Sequence, residues 1–228
     1  MREIVLDTET TGFEPESGDR IVEIGAVELI NYVPTGRTYH QYINPERSMP
    51  QGAFEVHGLG DDFLKDFPVF AQVGQAFVDF IGDAKLVIHN AAFDMKFLNA
   101  ELGWMGLARL PMDRALDTLA IARSKFPGSP ASLDALCRRF GIDNSAREKH
   151  GALLDSEILA EVYLELIGGR QPTLTLAGQQ RTTQVSGEVW KAYARPTPLP
   201  SRLSETERHA HDAHVAALGE DAVWKTYR

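Results

Sequence analysis

Apolar and polar positions change rhythm several times along the 228-residue chain, and each change marks an element. Residues 3–7 (EIVLD) form a short apolar run that ends in the polar, Gly-terminated segment DTETTG, the pattern of a buried strand. Residues 20–30 (RIVEIGAVELI) are dense in Val and Ile, and residues 38–43 (TYHQYI) read as a weaker aromatic strand. Short loops carrying Pro15, Gly18 and Asp19, then Pro34 and Gly36, predict antiparallel neighbours. From Val69 the period becomes helical, with Phe70, Val73, Phe77, Phe80 and Ile81 on one stripe. Residues 85–88 then read as a short buried strand and residues 93–102 as another helix.

Two further helices are predicted over 117–126 and 132–140, separated by the turn Pro127-Gly128-Ser129-Pro130. Ser132 caps the second, without the Glu or Gln of a capping box. The last long helix covers 151–167, and Gly168-Gly169 stops it. Strands followed by helix–strand–helix units indicate an α/β domain with a mixed sheet over residues 1–169. Gln, Thr, Gly and four prolines then replace the periodic pattern, so residues 170–203 read as a flexible linker. A short helical tail follows in 204–228: Ser204 and Glu207 form a capping box before a helix to Leu218, whose thin apolar face is insufficient for folding alone.

Composition narrows the class. Cys137 is the sole cysteine, which excludes a disulfide framework and suits the core. No run approaches the roughly 18 apolar residues of a membrane span, and no basic, apolar leader precedes the first strand. A cytoplasmic protein with no membrane partner is the expectation. Residues 1–170 hold 16 Lys/Arg against 26 Asp/Glu, a net charge of −10, within a chain of −9 overall. So acidic a domain lacks the broad basic surface that grips nucleic acid, and work on a phosphodiester would require bound cations.

Four carboxylates stand where such cations would bind. Asp7 and Glu9 lie two apart at the end of the first strand, on one face of the sheet. Asp94, in HNAAFD, opens the helix after the fourth strand, and Asp155 sits on the last helix near its apolar boundary. Each alone has an ordinary alternative: an acidic turn for Asp7 and Glu9, a dipole-favoured first-turn residue for Asp94. His150 precedes Asp155 by five residues, about 140° around an ideal helix, so the two converge only if His150 lies in the lead-in loop, where Gly151 permits unusual backbone angles. Together, the four hard oxygen donors suit Mg²⁺ or Mn²⁺. Two such ions about 3.5–4 Å apart stabilise both the attacking and leaving oxygens of a phosphoryl displacement, and a nearby imidazole takes the proton from water. Asp117 and Asp134 read instead as helix caps or surface residues.

The ordered set DTETTG, VHG, HNAAFD and HGALLD resembles the DEDDh exonucleases, and residues 2–169 follow that pattern densely. The resemblance implies a ribonuclease H-like fold, a mixed β-sheet flanked by helices. It also implies that Asp7, Glu9 and Asp155 hold the first of two Mg²⁺ or Mn²⁺ ions. Asp7 would bridge to the second ion, which Asp94 supports through water, and His150 would be the general base. Glu9, Thr10, Gly12, His57, His89, Asn90, Phe93 and Asp155 would form the pocket for the terminal nucleotide. At Gly52 the chain departs from the family, where a Glu often stands near the substrate sugar.

Within the family the chain is similar to members that proofread for bacterial replicative DNA polymerases. That implies removal of nucleotides from a frayed single-stranded 3′ end of DNA, at the replisome on the nucleoid. Gln171, Leu174 and Leu176 would form a peptide for the sliding clamp. The tail, with Trp190 and Trp224 as apolar anchors, would dock on the polymerase's alpha subunit. A related RNA exonuclease and an inactive adaptor that stabilises a polymerase are the alternatives.

Overall fold

A computed structural model describes residues 1–145, 149–169 and 203–219. The chain divides into two compact units, one over residues 1–176 and one over residues 177–228. In the first, a five-stranded sheet has the order β3-β2-β1-β4-β5. Its strands are β1 (Arg2–Thr10), β2 (Ile21–Ile30), β3 (Val33–Tyr42), β4 (Lys85–Ile88) and β5 (Ala115–Asp117). β1 and β3 run antiparallel to β2, while β4 and β5 run parallel to β1, so the sheet is mixed as expected.

The first strand outlasts its apolar run. β2 pairs with β1 as far as Thr10, which holds the polar residues Asp7–Thr10 extended rather than in a turn. β3 likewise begins at Val33, with Pro34 and Gly36 inside it rather than in a loop. An edge strand tolerates a proline near its start, and the register shift between Val27 and Leu29 absorbs the irregularity. β5 has three residues, too few for a periodic signal.

Helices cover both faces. α3 (Phe70–Ile81) and α4 (Ala91–Trp104) lie against Ile4, Leu6, Ile24, Leu86 and Ile88, the even-numbered side of the strands, through Phe77, Phe97 and Leu98. α7 (Ala152–Leu166) covers the opposite side, where Leu159 and Tyr163 meet Val5, Val27 and Val87. α5 (Thr118–Lys125) and α6 (Leu133–Phe140) pack on the outer side of α7, and Cys137 is buried among them. Asp117 caps α5 by accepting the Leu119 N–H, and Ser132 caps α6 by accepting the Ala135 N–H. Two short helices, α1 (Gln51–His57) and α2 (Asp61–Leu64), occupy a stretch where the sequence shows no helical stripe.

In the second unit α8 (Glu205–Ala217) carries the expected capping box between Ser204 and Glu207 and buries no residue. The clamp-peptide residues Gln171, Leu174 and Leu176, and Trp190 and Trp224, lie outside the described residues.

Candidate active site

β4 is shorter than β1, and the difference creates the site. The two strands pair through Val5 and Val87, after which β4 ends and the chain turns into α4. Asp7, Thr8 and Glu9 therefore project past the end of β4 with no strand on that side. A cavity of about 460 Å³ opens there, lined by Asp7, Glu9, Asp94, His150 and Asp155 together with His89, Asn90 and Phe93.

Each acidic side chain reaches the cavity from a different element. Asp7 and Glu9 leave β1 on the α7 side of the sheet, and Asp155 comes from the first turn of α7. Donor atoms of Glu9, His150 and Asp155 lie within 4.8 Å of one another. Asp7 and Asp94 line the same cavity but stand outside that group. His150 Nδ1 is 3.3 Å from Asp155 Oδ2. His150 occupies the lead-in loop, where its backbone N–H donates to Val56 O at 3.3 Å. Gly151 adopts ordinary extended angles, φ −154° and ψ 123°, so the convergence comes from the loop's pairing to Val56 and not from glycine's extra freedom.

Asp94 approaches from the other face, at the start of α4. It is buried, with 2% of its surface exposed, and Thr8 Oγ1 donates to its Oδ1 at 2.7 Å. Burial pushes its pKa up to about 7, while the Thr8 hydroxyl pulls the other way. A carboxyl kept this dry gains its charge most readily beside a cation. Hard oxygen donors from Glu9, Asp155, Asp7 and Asp94 around one cavity fit a divalent ion of the Mg²⁺ or Mn²⁺ kind.

Two glycine and serine contacts set α7 at its distance. A Cβ on Gly25, which faces Asp7 across the ladder, would collide with the backbone of Ala152 and Leu153. Ser156 Oγ shares its proton between Ala152 O (2.7 Å) and Gly25 O (2.9 Å). The first turn of α7 thus rests directly on β2, which carries Asp155 to the edge of β1.

The surrounding residues divide. His89 lines the cavity, yet its Nδ1 is paired with Thr118 Oγ1 at 2.9 Å and burial lowers its pKa. Asn90 sits in the left-handed region at φ +67°, ahead of α4, with its N–H donating to Asp117 Oδ1. A non-glycine residue in that conformation stores strain of the kind found at functional sites. Thr10, Gly12 and His57 are not among the residues lining the cavity. The Thr10 hydroxyl donates to Gly12 O, and the space a side chain at Gly12 would need is filled by the Asp19 carboxylate. His57 ends α1 and is 5% exposed. Its Nδ1 accepts the Leu59 N–H at 3.0 Å, and burial lowers its pKa, so the neutral ring carries its proton on Nε2. That Nε2 is buried, and the Thr10 backbone beside the ring partly offsets the effect of burial. Gly52 faces open space.

Thr8, Arg123 and Phe13 escaped the sequence reading, and Asp134, read there as a cap or surface residue, proves to line the cavity. Arg123 and Asp134 line the cavity from α5 and α6. Phe13 is 83% exposed and meets Phe93 edge-on, with ring centroids 6.4 Å apart. An apolar residue directly after the DTETTG segment, outside any periodic stripe, was the available signal for Phe13.

A family model described as "Exonuclease" matches residues 4–163, most of the first unit. DNA polymerase III subunit epsilon of Rickettsia felis is 55% identical over 214 residues, covering 90% of this chain and 93% of that protein. The same subunit of Escherichia coli K12 is 49% identical, covering 98% of this chain and 97% of that protein. The chain belongs to the exonuclease family, among the DNA polymerase III epsilon subunits. Solved structures of more distant exonucleases share the fold. The nuclease domain of 3′hExo, a DEDDh family member bound to rAMP, superposes with a TM-score of 0.62 at 22% identity, covering 73% of this chain and 91% of that one. Exonuclease X in complex with 5′ overhanging duplex DNA gives a TM-score of 0.55 at 22% identity, over 72% of this chain and 90% of that one. Exonucleases of this family depend on divalent metal, and the donor cluster of this epsilon-family chain is of the matching chemistry.

Proposed function

We propose that the chain is a 3′→5′ exonuclease that proofreads for DNA polymerase III, removing 3′-terminal nucleotides as 5′-monophosphates. The observation that carries the reading is the gathering of Glu9, His150 and Asp155 donor atoms within 4.8 Å, in a cavity that Asp7 and Asp94 also line. Asp7, Glu9 and Asp155 would hold one Mg²⁺ or Mn²⁺ ion, with Asp7 and Asp94 holding a second. A pair of such ions supplies charge stabilisation for the attacking and leaving oxygens of the phosphodiester.

The chain's own groups do the rest. His150, exposed at the rim and beside Asp155, takes the proton of the attacking water as its oxygen bonds to phosphorus. The P–O3′ bond of the preceding nucleotide then breaks. Asp155 orients the imidazole through Nδ1. Thr8 fixes Asp94 through its hydroxyl. Phe93 with the exposed Phe13 offers a surface for base stacking. The cavity admits an unpaired end, which mismatched termini supply at lower cost.

The acidic domain supports delivery of DNA by partners rather than by its own surface: the DNA polymerase III alpha subunit through residues 204–228, and the sliding clamp through Gln171, Leu174 and Leu176. Among the described residues no helix is long and apolar enough to cross a membrane.

The test is degradation of 5′-labelled single-stranded DNA, matched and mismatched duplex DNA, and single-stranded RNA with Mg²⁺. The wild type is expected to shorten single-stranded and mismatched DNA from the 3′ end, and Asp7→Asn to lose roughly 100-fold or more, since even outer partners of metal ligands cost about 10–100-fold. An active Asp7→Asn protein would refute the ion assignment, and a preference for RNA would refute the proofreading role.

A further inference from the structure

Behind Glu9 lies a second buried carboxylate that the proposed chemistry does not use. β1 and β2 pair Glu9 with Glu23 directly across the ladder, so both side chains leave the same face of the sheet. Glu9 is 8% exposed and Glu23 3% exposed. On the far side, His40 of β3 places its Nε2 2.7 Å from Glu23 Oε1, and the His40 ring stands edge-on to Tyr42 at 4.8 Å between centroids. Glu23 is thus fixed by β3 while facing a proposed ion ligand on β1.

Like charges directly opposite on one face destabilise a sheet, and burial strengthens the repulsion. Retaining both carboxylates requires a hydrogen-bond donor or a cation beside each. The His40 ring donates to Glu23 on one side, and the cavity with Asp155 stands beside Glu9 on the other. The arrangement also removes a choice from Glu9: its side chain meets a negative group if it turns toward β2, and a cation site if it turns toward Asp155.

We propose that Glu23, anchored by His40, is a positioning residue that holds Glu9 toward the cavity and strengthens divalent-ion binding there. Glu23 acts through Glu9 and touches neither substrate nor the reacting atoms. The inference rests on the reading of the cavity as a divalent-ion site.

Mn²⁺ binding to the full chain, followed by the electron paramagnetic resonance signal of free Mn²⁺, tests it without any turnover. Glu23→Gln keeps the shape and removes the charge, and is expected to weaken Mn²⁺ binding roughly tenfold. Glu23→Asp keeps the charge and should stay within about threefold of wild type. His40→Gln still donates to Glu23 and leaves its charge in place, so it should bind within about twofold, as befits a partly exposed pair. Circular dichroism establishes folding for each protein. If the amide unfolds the chain, Glu23→Thr, suited to a strand, removes the same charge. Unchanged Mn²⁺ affinity in a folded, charge-free variant would overturn the proposal, as would equal weakening in Glu23→Gln and His40→Gln, which would mark the pair as mere packing. Failure of the wild type to bind Mn²⁺ would instead overturn the ion-site reading itself.

Discussion

Gly25 carries no functional group, yet it sets the distance between β1 and the helix that supplies Asp155. The backbone of Ala152 and Leu153 occupies the space a Cβ would need. Gly25→Ala must therefore push the first turn of α7 away, and with it Asp155 and the loop bearing His150. We expect a destabilisation of about 1–3 kcal/mol, the usual cost of overpacking. Activity should fall roughly 100-fold in kcat, because a displacement near 1 Å is enough to misalign reacting groups. Steady-state kinetics beside a thermal melt would check this, and a stable, fully active variant would contradict it. Four carboxylates and one imidazole were legible in the sequence because their chemistry stands out at element ends. Gly25 and Thr8 were not. Their roles exist only through partners 131 and 86 residues away, Ser156 and Asp94, and no local pattern encodes such a pairing.

Elements hold the site by their lengths and by a clamp at the opposite end of β1. There Arg2 Nε pairs with Glu28 Oε1 at 2.7 Å, and Arg37 Nη1 of β3 reaches the same oxygen at 2.9 Å. Thr35 Oγ1 donates to Glu28 Oε2, while Arg2 also donates to the carbonyls of Phe80 and Ile81 at the end of α3. One buried carboxylate thereby joins three strands and a helix. The hydrogen bond from Arg2 holds the Glu28 pKa below its ordinary 4.5. A depressed carboxylate pKa contributes stability above the unfolded value, and that stability is lost as pH falls through the folded value. Glu28→Gln should cost about 1.5–3 kcal/mol at pH 7, the range for hydrogen bonds to charged groups. The gap from wild type should close as pH drops below 4.5. Urea melts across that range decide it, and a gap that persists in acid would exclude the charge as its source. The strands also show where sequence patterns stop. A short apolar run announced the buried part of β1, but its polar continuation through Thr10 depends on pairing with β2, and Pro34 with Gly36 looked like a loop because edge strands relax the rules. α4, by contrast, extends the expected helix by two residues at each end.

At the scale of the whole molecule, a domain with ten excess negative charges must act on a polyanion. In the proposed function, divalent ions and tethering partners would carry the association that so acidic a domain does not supply itself. The same excess explains why the acidic cavity suits a metal-dependent reaction better than a charge-neutral one. Composition and motif order disclosed this much in advance. The layout of the cavity did not follow from them, since it depends on β4 ending before β1 does. The most direct test is anomalous scattering from crystals of the protein grown with Mn²⁺ and a 3′-terminal deoxynucleotide monophosphate. The account predicts two Mn²⁺ peaks about 3.5–4 Å apart, one held by Asp7, Glu9 and Asp155 and the other by Asp7 and Asp94, with His150 at the rim. Peaks that avoid these carboxylates, with the nucleotide bound elsewhere, would contradict it.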